Sequence, residues 1–380
     1  MSQIPQHHFF LKSAIISLLS CGVVLNAPSA QAGASLSVEE DALAIKAQLV
    51  FQEECRRDEF SGAMLVAQGS NVIAEGVCGE ASKRYHVPNK IDTKFNIASI
   101  GKMFTAVAIA QLAEAGKLTF DDKINKYIDS SWLPAKVTER ITIGQLLAHS
   151  DGLTEFMTME RAHQSSRALY RELDDLKPML QGIQPEFEPG TRYYYANTGY
   201  VLLGVIVQKL SGQNYYDYVR QHIYQVAGMN GTDSYALDEP VENLAMGYMR
   251  MPGGIRESTF EGVMRGFSFG CGYSTVRDLL HFTQALQDGR LIKPATLKTL
   301  WQNHSPEETQ KHGGYGYGFE LSNSKMGPVV GHSGGFPGVS GNVNIYTNSG
   351  YVVIALSNYW HAAPVAESIE RVLSIRNISQ

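Results

Sequence analysis

The stretch FNIASIGKMFTAV, residues 95–107, places a hydroxyl and an amine one helical turn apart, at Ser99 and Lys102. The segment that follows, residues 103–112, is apolar on nearly every side, which is typical of a helix buried inside a protein. A lysine at the start of such a helix has little water around it. We therefore expect Lys102 to lie among apolar groups, within reach of Ser99.

The chemistry of this pair favours nucleophilic catalysis. A serine hydroxyl becomes a good nucleophile when a neighbouring base takes its proton, and an ammonium cannot be that base. Burial lowers the pKa of a lysine, so that Lys102 can accept the Ser99 proton as a neutral amine. The helix start also supplies backbone N–H groups where an oxyanion would form. A helix cap at Ser99 and a solvated cation at Lys102 are the alternatives that the pattern leaves open.

The first 32 residues have the composition of an export signal. Lys12 is their only charged side chain, an apolar run covers residues 14–25, and small residues at 30–32 provide a cleavage site. The run is shorter than the ~20 residues of a membrane-spanning helix. We predict a signal peptide over residues 1–32, a periplasmic or secreted mature protein and no stable membrane span. A lipoprotein anchor at Cys21 is the less favoured alternative, because cleavage there would cut through the apolar run.

Composition and charge exclude several classes of protein. The chain has 380 residues, of which 44% are hydrophobic and 18% charged, as in ordinary globular proteins. Without the signal, 31 Lys and Arg (32 minus Lys12) stand against 37 Asp and Glu, a net charge of −6 that disfavours nucleic acid as a partner. The chain has neither HExxH nor CxxC, so we expect no metal site and no cofactor.

Three cysteines, Cys55, Cys78 and Cys271, follow the predicted signal. An oxidising compartment permits a disulfide between Cys55 and Cys78, and three buried thiols are the alternative. The loop that this disulfide closes is long enough to add ~3 kcal/mol of stability on the loop-entropy model.

The order of periodic segments indicates one mixed domain interrupted by helices. We predict a helix over 39–56, a hairpin over 62–67 and 71–78, helices over 101–114, 143–149, 199–211 and 275–287, strands after 315 with a hairpin over 341–346 and 351–358, and a closing helix over 364–376. This gives a mixed α/β lobe from 33–92 and 268–380 and a helical lobe from 93–267. A cleft between the lobes would hold the active site.

Two further motifs follow in the chain, Tyr195-Ala-Asn197 and His332-Ser-Gly334. The first lies between a Pro-Gly turn and the helix predicted at 199, which puts both polar side chains on the connection. The second leaves an apolar strand and enters glycines that permit close approach of a ligand. A second S-x-x-K, at 322–325, lies in a polar stretch, and we interpret it as a solvated loop.

The ordered set of S-x-x-K, Y-x-N and H-x-G resembles the penicillin-recognising serine hydrolases over residues 40–375. LLAHSDGL at 146–153, GTRYYYANTGYVLLG at 190–204 and GHSGGFPG at 331–338 strengthen the likeness. The most similar branch contains class C β-lactamases, D-Ala-D-Ala carboxypeptidases and esterases. The resemblance implies an α/β (α+β) fold of the β-lactamase/transpeptidase type, an antiparallel sheet flanked by helices with an inserted all-helical lobe.

The resemblance also implies roles for individual residues. Ser99 would be the nucleophile, Lys102 its base and Tyr195 the proton shuttle to the leaving group. The substrate would contact Asn197, His332, Gly334 and Gly335, and the backbone N–H groups of Ser99 and Gly335 would form the oxyanion hole. Histidine at 332, where β-lactamases of this class usually have lysine, puts antibiotic hydrolysis in doubt. It also predicts that the preference for an anionic substrate varies with pH.

A rival motif overlaps the last one, because GHSGG at 331–335 also spells the nucleophile elbow of α/β-hydrolases. That elbow needs a helix directly after its serine, and the Pro and Gly at 337–338 prevent one. We therefore expect hydrolysis through a Ser99 acyl-enzyme, acting on a small molecule or a peptide, with no metal or cofactor. D-amino-acyl peptides of cell-wall type are the leading substrates, then small esters, then β-lactams. A non-catalytic penicillin-binding sensor or scaffold is the alternative of another class.

Overall fold

The computed structural model describes residues 38–158, 166, 169–258, 265–306, 313–360 and 362–377. The predicted signal peptide and Cys21 lie outside these residues. Within the described ranges, no helix is both long and apolar enough to cross a lipid bilayer.

Helices occur at both ends of the chain and dominate its middle. The α-helices are α1 Val38–Arg56, α2 Lys102–Glu114, α3 Ala135–Thr138, α4 Ile143–Leu147, α5 Lys177–Leu180, α6 Asn197–Ser211, α7 Tyr215–Val219, α8 Gln225–Ala227, α9 Val276–Gln287, α10 Pro294–Leu300 and α11 Ala362–Asn377. Short 3₁₀ turns cover Ala98–Gly101, Ile124–Lys126, Phe156–Thr158 and Leu173–Leu176, and Arg220–Tyr224 is a π-helical turn.

Strands near the two chain ends build the main sheet. The strands are β1 Gly62–Gln68, β2 Asn71–Cys78, β3 Glu80–Ser82, β4 Val87–Pro88, β5 Phe95–Asn96, β6 Tyr248–Met251, β7 Gly254–Glu257, β8 Tyr273–Ser274, β9 Gly314–Tyr315, β10 Glu320–Ser324, β11 Gly327–Phe336, β12 Val339–Tyr346 and β13 Tyr351–Ser357. Seven of them form an antiparallel sheet in the order β2-β1-β13-β12-β11-β10-β9. The hairpin β1–β2 therefore pairs, through β1, with strand β13, which lies about 290 residues away in the sequence.

Helices cover both faces of this sheet. On one face, α1 and α11 bury a cluster that includes Phe51, Val353 and Ile369. On the other face, α9 packs against β1 and β13, and its apolar side chains join the larger cluster that surrounds α2. Since the sheet is apolar on both faces, its interior strand β13 is buried at every residue.

The predicted elements agree with the structure in most places. The N-terminal helix, both hairpins and the closing helix are present within two residues of their predicted bounds, and the side chain of Thr275 caps α9. The middle region is not wholly helical, because β6 and β7 form a hairpin that we did not predict from the sequence. The lobe boundaries at residues 93 and 267 stay a prediction.

Three differences concern the motifs themselves. α6 begins at Asn197, so this residue lies on the helix and not on the connection before it. β11 continues through the glycines to Phe336, whereas we expected the strand to end near His332. Ser322 of the second S-x-x-K is exposed, as expected, but on strand β10 and not in a loop.

The structure confirms the disulfide between Cys55 and Cys78, with Cα atoms 6.1 Å apart. It ties the end of α1 to the end of β2 and closes a loop of 23 residues. The alternative hypothesis, that all three cysteines are buried free thiols, is therefore wrong.

Candidate active site

Ser99 and Lys102 face each other at the start of α2. The Lys102 Nζ atom lies 3.1 Å from Ser99 Oγ, on consecutive turns that run from a 3₁₀ turn into the α-helix. Lys102 is fully buried, while Ser99 is partly exposed. The pair therefore consists of an accessible hydroxyl and a base that is shielded from water.

The surroundings of Lys102 favour its neutral form. Burial lowers the pKa of the amine to about 7, although Glu155 and Glu320 act in the opposite direction. Its Nζ donates to Asn197 Oδ1 and to the Phe269 carbonyl, each at 2.7 Å. A neutral amine can make both bonds and still accept a proton from Ser99 through its lone pair.

The turn before Ser99 is held in an unusual conformation. Ala98 has φ of 44°, a left-handed value that is costly for a residue with a side chain. Its N–H donates to Asn96 Oδ1 at 2.9 Å, and its carbonyl accepts from the Cys271 N–H at 2.9 Å. Gly270 must lack a side chain, since a Cβ there would lie 2.2 Å from the Ala98 oxygen. The segment 269–271 thus fixes both Ser99 and Lys102.

Tyr195 lies over the Lys102 amine, with 4.8 Å between Nζ and the ring centroid. Burial raises the pKa of Tyr195 well above its usual value, and a hydrogen bond with the Ser99 side chain offsets part of this shift. The phenol is therefore neutral at any physiological pH. The His149 ring packs against it at a tilt of 34°, with ring centroids 4.2 Å apart, and accepts the Ala196 N–H through Nδ1 at 3.3 Å.

Asn197 starts α6 and connects it to α2 through the bond to Lys102. Its backbone N–H donates to Glu155, so a carboxylate sits at the positive end of the α6 dipole. Thr198 strengthens this junction by donating to the Thr154 carbonyl at 2.6 Å and accepting from the Phe156 N–H at 3.0 Å. These bonds fix the position of Asn197 at the start of α6 relative to Lys102 at the start of α2.

Strand β11 brings its glycines against the nucleophile. A Cβ on Gly334 would lie 2.9 Å from the Ser99 nitrogen and 2.4 Å from the Ile97 oxygen, so only glycine fits. Gly335 follows and is exposed. The two backbone N–H groups expected to bind an oxyanion, on Ser99 and Gly335, therefore lie on segments in direct contact.

His332 is not where we expected it. Its side chain is 1% exposed, and both ring nitrogens have protein partners: Nδ1 lies 2.5 Å from the Ser333 carbonyl and Nε2 lies 2.8 Å from the Tyr315 hydroxyl. Because a carbonyl can only accept, Nδ1 carries the proton and Nε2 accepts from Tyr315. Burial lowers the pKa of His332, mainly by desolvation. A neutral, fully engaged imidazole does not give the pH-dependent contact with a substrate carboxylate that the sequence suggested.

Sequence reasoning missed several neighbours of the site: Glu155, Phe269, Tyr315 and Glu320. Phe269 acts through its backbone carbonyl, which no side-chain motif can reveal. Glu155 lies two residues beyond the LLAHSDGL stretch, and its closeness to that motif is a signal that could have indicated it. Within the described ranges, no group of three His, Cys, Asp or Glu side chains is arranged to hold a metal ion.

Asp151 is a buried carboxyl beside α6. It is 1% exposed, its Oδ1 accepts the Leu153 N–H at 2.8 Å, and its Oδ2 has no partner among the described residues. Burial raises the pKa of Asp151 to about 7. Because this pKa lies above the unfolded value of about 3.9, the folded state holds the proton more tightly than the unfolded state. Its contribution to stability is present below about pH 4 and is lost as the pH rises to about 7.

Asp151→Asn should therefore stabilise the protein at pH 8 and change little at pH 4. A shift of about three pKa units sets an upper bound of about 4 kcal/mol at pH 8. Thermal unfolding of both proteins at several pH values measures the effect. Asp238→Asn, at an exposed ion pair with Arg171, is the control and should not gain stability with pH. An equal difference between Asp151→Asn and wild type at pH 4 and pH 8 would contradict the buried-carboxyl account.

Comparison with known proteins gives a consistent result. The β-lactamase family model matches residues 48–376. A penicillin-binding protein of Bacillus subtilis strain 168 is 32% identical over 328 residues, covering 82% of this chain and 71% of the relative. The penicillin-binding protein of Bacillus halodurans superimposes with a TM-score of 0.78 at 28% identity, covering 86% of this chain and 98% of that one.

A third comparison concerns an amidase. The D-amino acid amidase of Ochrobactrum anthropi SV3 superimposes with a TM-score of 0.73 at 25% identity, covering 89% of this chain and the whole of that one. The strand order of the sheet, the contact between Ser99 and Lys102 at the start of α2, and these matches all indicate the same family. The chain belongs to the β-lactamase family and is a serine hydrolase of the penicillin-recognising type.

Proposed function

We propose that the protein is an exported hydrolase that forms an acyl-enzyme on Ser99. The observation that carries this proposal is the contact between Ser99 Oγ and a buried Lys102 amine 3.1 Å away, whose pKa is lowered to about 7. A base with a pKa near the working pH combines a useful neutral fraction with enough basicity to take the proton.

The candidate site provides a chemical group for each step of acyl transfer. Lys102 takes the Ser99 proton while Oγ attacks the carbonyl carbon, and the N–H groups of Ser99 and Gly335 hold the resulting oxyanion. The neutral Tyr195 phenol, hydrogen bonded to Ser99, gives its proton to the leaving group as the bond to it breaks and receives in exchange the proton that Lys102 took from Ser99, so that both groups return to their starting states. Water then attacks the acyl-enzyme by the same route and releases the acid.

The substrates that we propose are D-amino-acyl amides and peptides, followed by small esters. Two relatives support this class, since one is named a penicillin-binding protein and another a D-amino acid amidase. Hydrolysis of β-lactams is the alternative within the family, and a non-catalytic penicillin-binding sensor is the alternative outside it. The partly exposed Ser99 hydroxyl and the complete set of proton-transfer groups favour turnover over sensing.

Export is supported by two independent features. The first 32 residues have the composition of a signal peptide, and the Cys55–Cys78 disulfide fits an oxidising compartment. We propose a periplasmic or secreted location on these grounds.

A panel of four substrates tests the proposed function. Purified protein is assayed with D-phenylalanine amide, a D-Ala-D-Ala peptide, a short-chain ester and a chromogenic cephalosporin, and Ser99→Ala serves as the blank. We expect steady turnover of the amide or the ester that is lost in the blank. Turnover of none of the four would favour the sensor, and turnover that persists in Ser99→Ala would place the chemistry at another residue.

A further inference from the structure

One carboxylate beside the candidate site has no role in the steps above. Glu320 opens strand β10, and in the described part of the chain the pairing of β10 with β11 ends at Glu320 and Gly331. Residues 332–336 of β11 therefore continue past β10 with an open edge. Glu320 lies at the start of that edge.

The Glu320 carboxylate accepts hydrogen bonds from the polar donors of Ser333, the middle residue of the H-S-G motif. Its Oε2 accepts the Ser333 N–H at 2.9 Å, and its Oε1 accepts the Ser333 hydroxyl at 2.8 Å. Oε1 also lies 3.6 Å from His332 Nδ1. A backbone N–H and a hydroxyl that converge in this way are suited to binding an anionic group of a ligand, and here a side chain of the protein has taken that place.

This carboxylate is close to the expected position of the reacting carbonyl. The Ser333 N–H points away from β12, toward Glu320, and residues two apart on a strand point the same way, so the Gly335 N–H lies on the same edge about 7 Å farther along. Gly334, between them, contacts the Ser99 backbone. One extended residue of a substrate, about 3.5 Å long, and a hydrogen bond of about 3 Å from its end together span the distance from the oxyanion donors to Glu320.

Glu320 also acts on the site electrostatically. Its side chain is 42% exposed, and its negative charge raises the pKa of Lys102, Tyr195 and His332. The neighbouring His332 is neutral and so does not cancel that charge. Each carboxylate oxygen accepts one bond from Ser333 and has a further lone pair for a donor from a ligand.

We propose that Glu320 determines specificity by disfavouring a substrate carboxylate at this subsite and favouring an ammonium or a carboxamide, whose N–H groups it can accept. This rests on the proposed acyl transfer at Ser99. It directs the activity toward amides and esters of amino acids rather than toward peptides that end in a free carboxylate beside the scissile bond. A unit charge about 6 Å away changes kcat/KM about 3-fold in water-like surroundings and about 100-fold at an effective dielectric constant of 20.

Three esters that share one acyl group test this proposal. Their alcohols are glycolate, glycolamide and ethanolamine, so that only the terminal group changes, from carboxylate to carboxamide to ammonium. We expect kcat/KM of wild type to be highest for the ammonium and lowest for the carboxylate, with a span of 3-fold to 100-fold or more. Glu320→Gln keeps a group that can bond to Ser333 and should reduce the span to less than 3-fold, mainly through faster turnover of the carboxylate.

The control variant is Glu53→Gln on α1, which makes the same change of net charge at the N-terminal helix and should leave the span unchanged. The rate with the neutral glycolamide ester shows that each variant keeps an intact site. A wild-type preference for the carboxylate would overturn the proposal. An unchanged span in Glu320→Gln with a normal glycolamide rate would also overturn it. Turnover in Ser99→Ala would instead refute the proposed function.

Discussion

Replacement of Ser99 by alanine is expected to lower kcat by about 10⁴-fold or more on every substrate that the protein turns over. Removing the nucleophile of a serine hydrolase removes the covalent route, and the other groups acting without it supply only a small residual rate. Because Ser99 is partly exposed and its neighbour Lys102 is held by Asn197 and Phe269, the substitution should not disturb folding. Steady-state kinetics with equal melting temperatures in both proteins would establish this.

Ser322→Ala is the matched control for this experiment. Ser322 belongs to the second S-x-x-K and is exposed on β10, so its loss should leave kcat within about 2-fold. Similar losses of kcat in Ser99→Ala and Ser322→Ala would contradict the assignment of Ser99, because a loss at the exposed copy of the motif would show that its buried context does not identify the nucleophile.

Replacement of Lys102 by arginine or methionine should lower kcat/KM by about 10²-fold to 10⁴-fold, the range that a positioned proton-transfer group supplies. Arginine keeps the positive charge but cannot accept a proton at neutral pH, so this variant distinguishes a role of Lys102 as a base from a role of its charge alone. If arginine restored activity, Lys102 would act only through its positive charge.

The pH dependence of kcat/KM in the wild-type protein is a second test of Lys102 as the base. Its amine must be neutral to act as a base, and burial lowers its pKa to about 7. We therefore expect kcat/KM to rise with pH through about 7 and then to level off, since Tyr195 remains protonated far above that range. A profile that is flat from pH 5.5 to 8.5 would contradict the assignment of Lys102 as the base.

Local patterns predicted those parts of the site that depend on neighbouring residues. The apolar run after Lys102 indicated a buried helix, and a buried helix that begins with serine and lysine already defines their contact. Short apolar strand segments on either side of a turn likewise predicted β12 and β13 to within two residues. In each case burial of the element leaves a local mark in the sequence, an apolar run that neighbouring residues share.

The rest of the site depends on contacts between distant segments. Lys102 meets Phe269 across 167 residues and Asn197 across 95. The sequence placed His332 on the right strand but could not show that Tyr315 would take its free nitrogen. Likewise, nothing near Glu320 in the sequence indicates that its carboxylate bonds to Ser333. Such pairings are set by strand register and helix packing, which single motifs do not encode.

Covalent labelling tests the central claim most directly. The protein is treated with a serine-reactive phosphonate at pH 8, where the Lys102 amine is mainly neutral, and digested for peptide mass mapping. The account predicts one phosphonylated residue, Ser99, in the peptide that contains ASIGK, and loss of the label in Ser99→Ala. Label on Ser333, or an unchanged amount of label in Ser99→Ala, would contradict it.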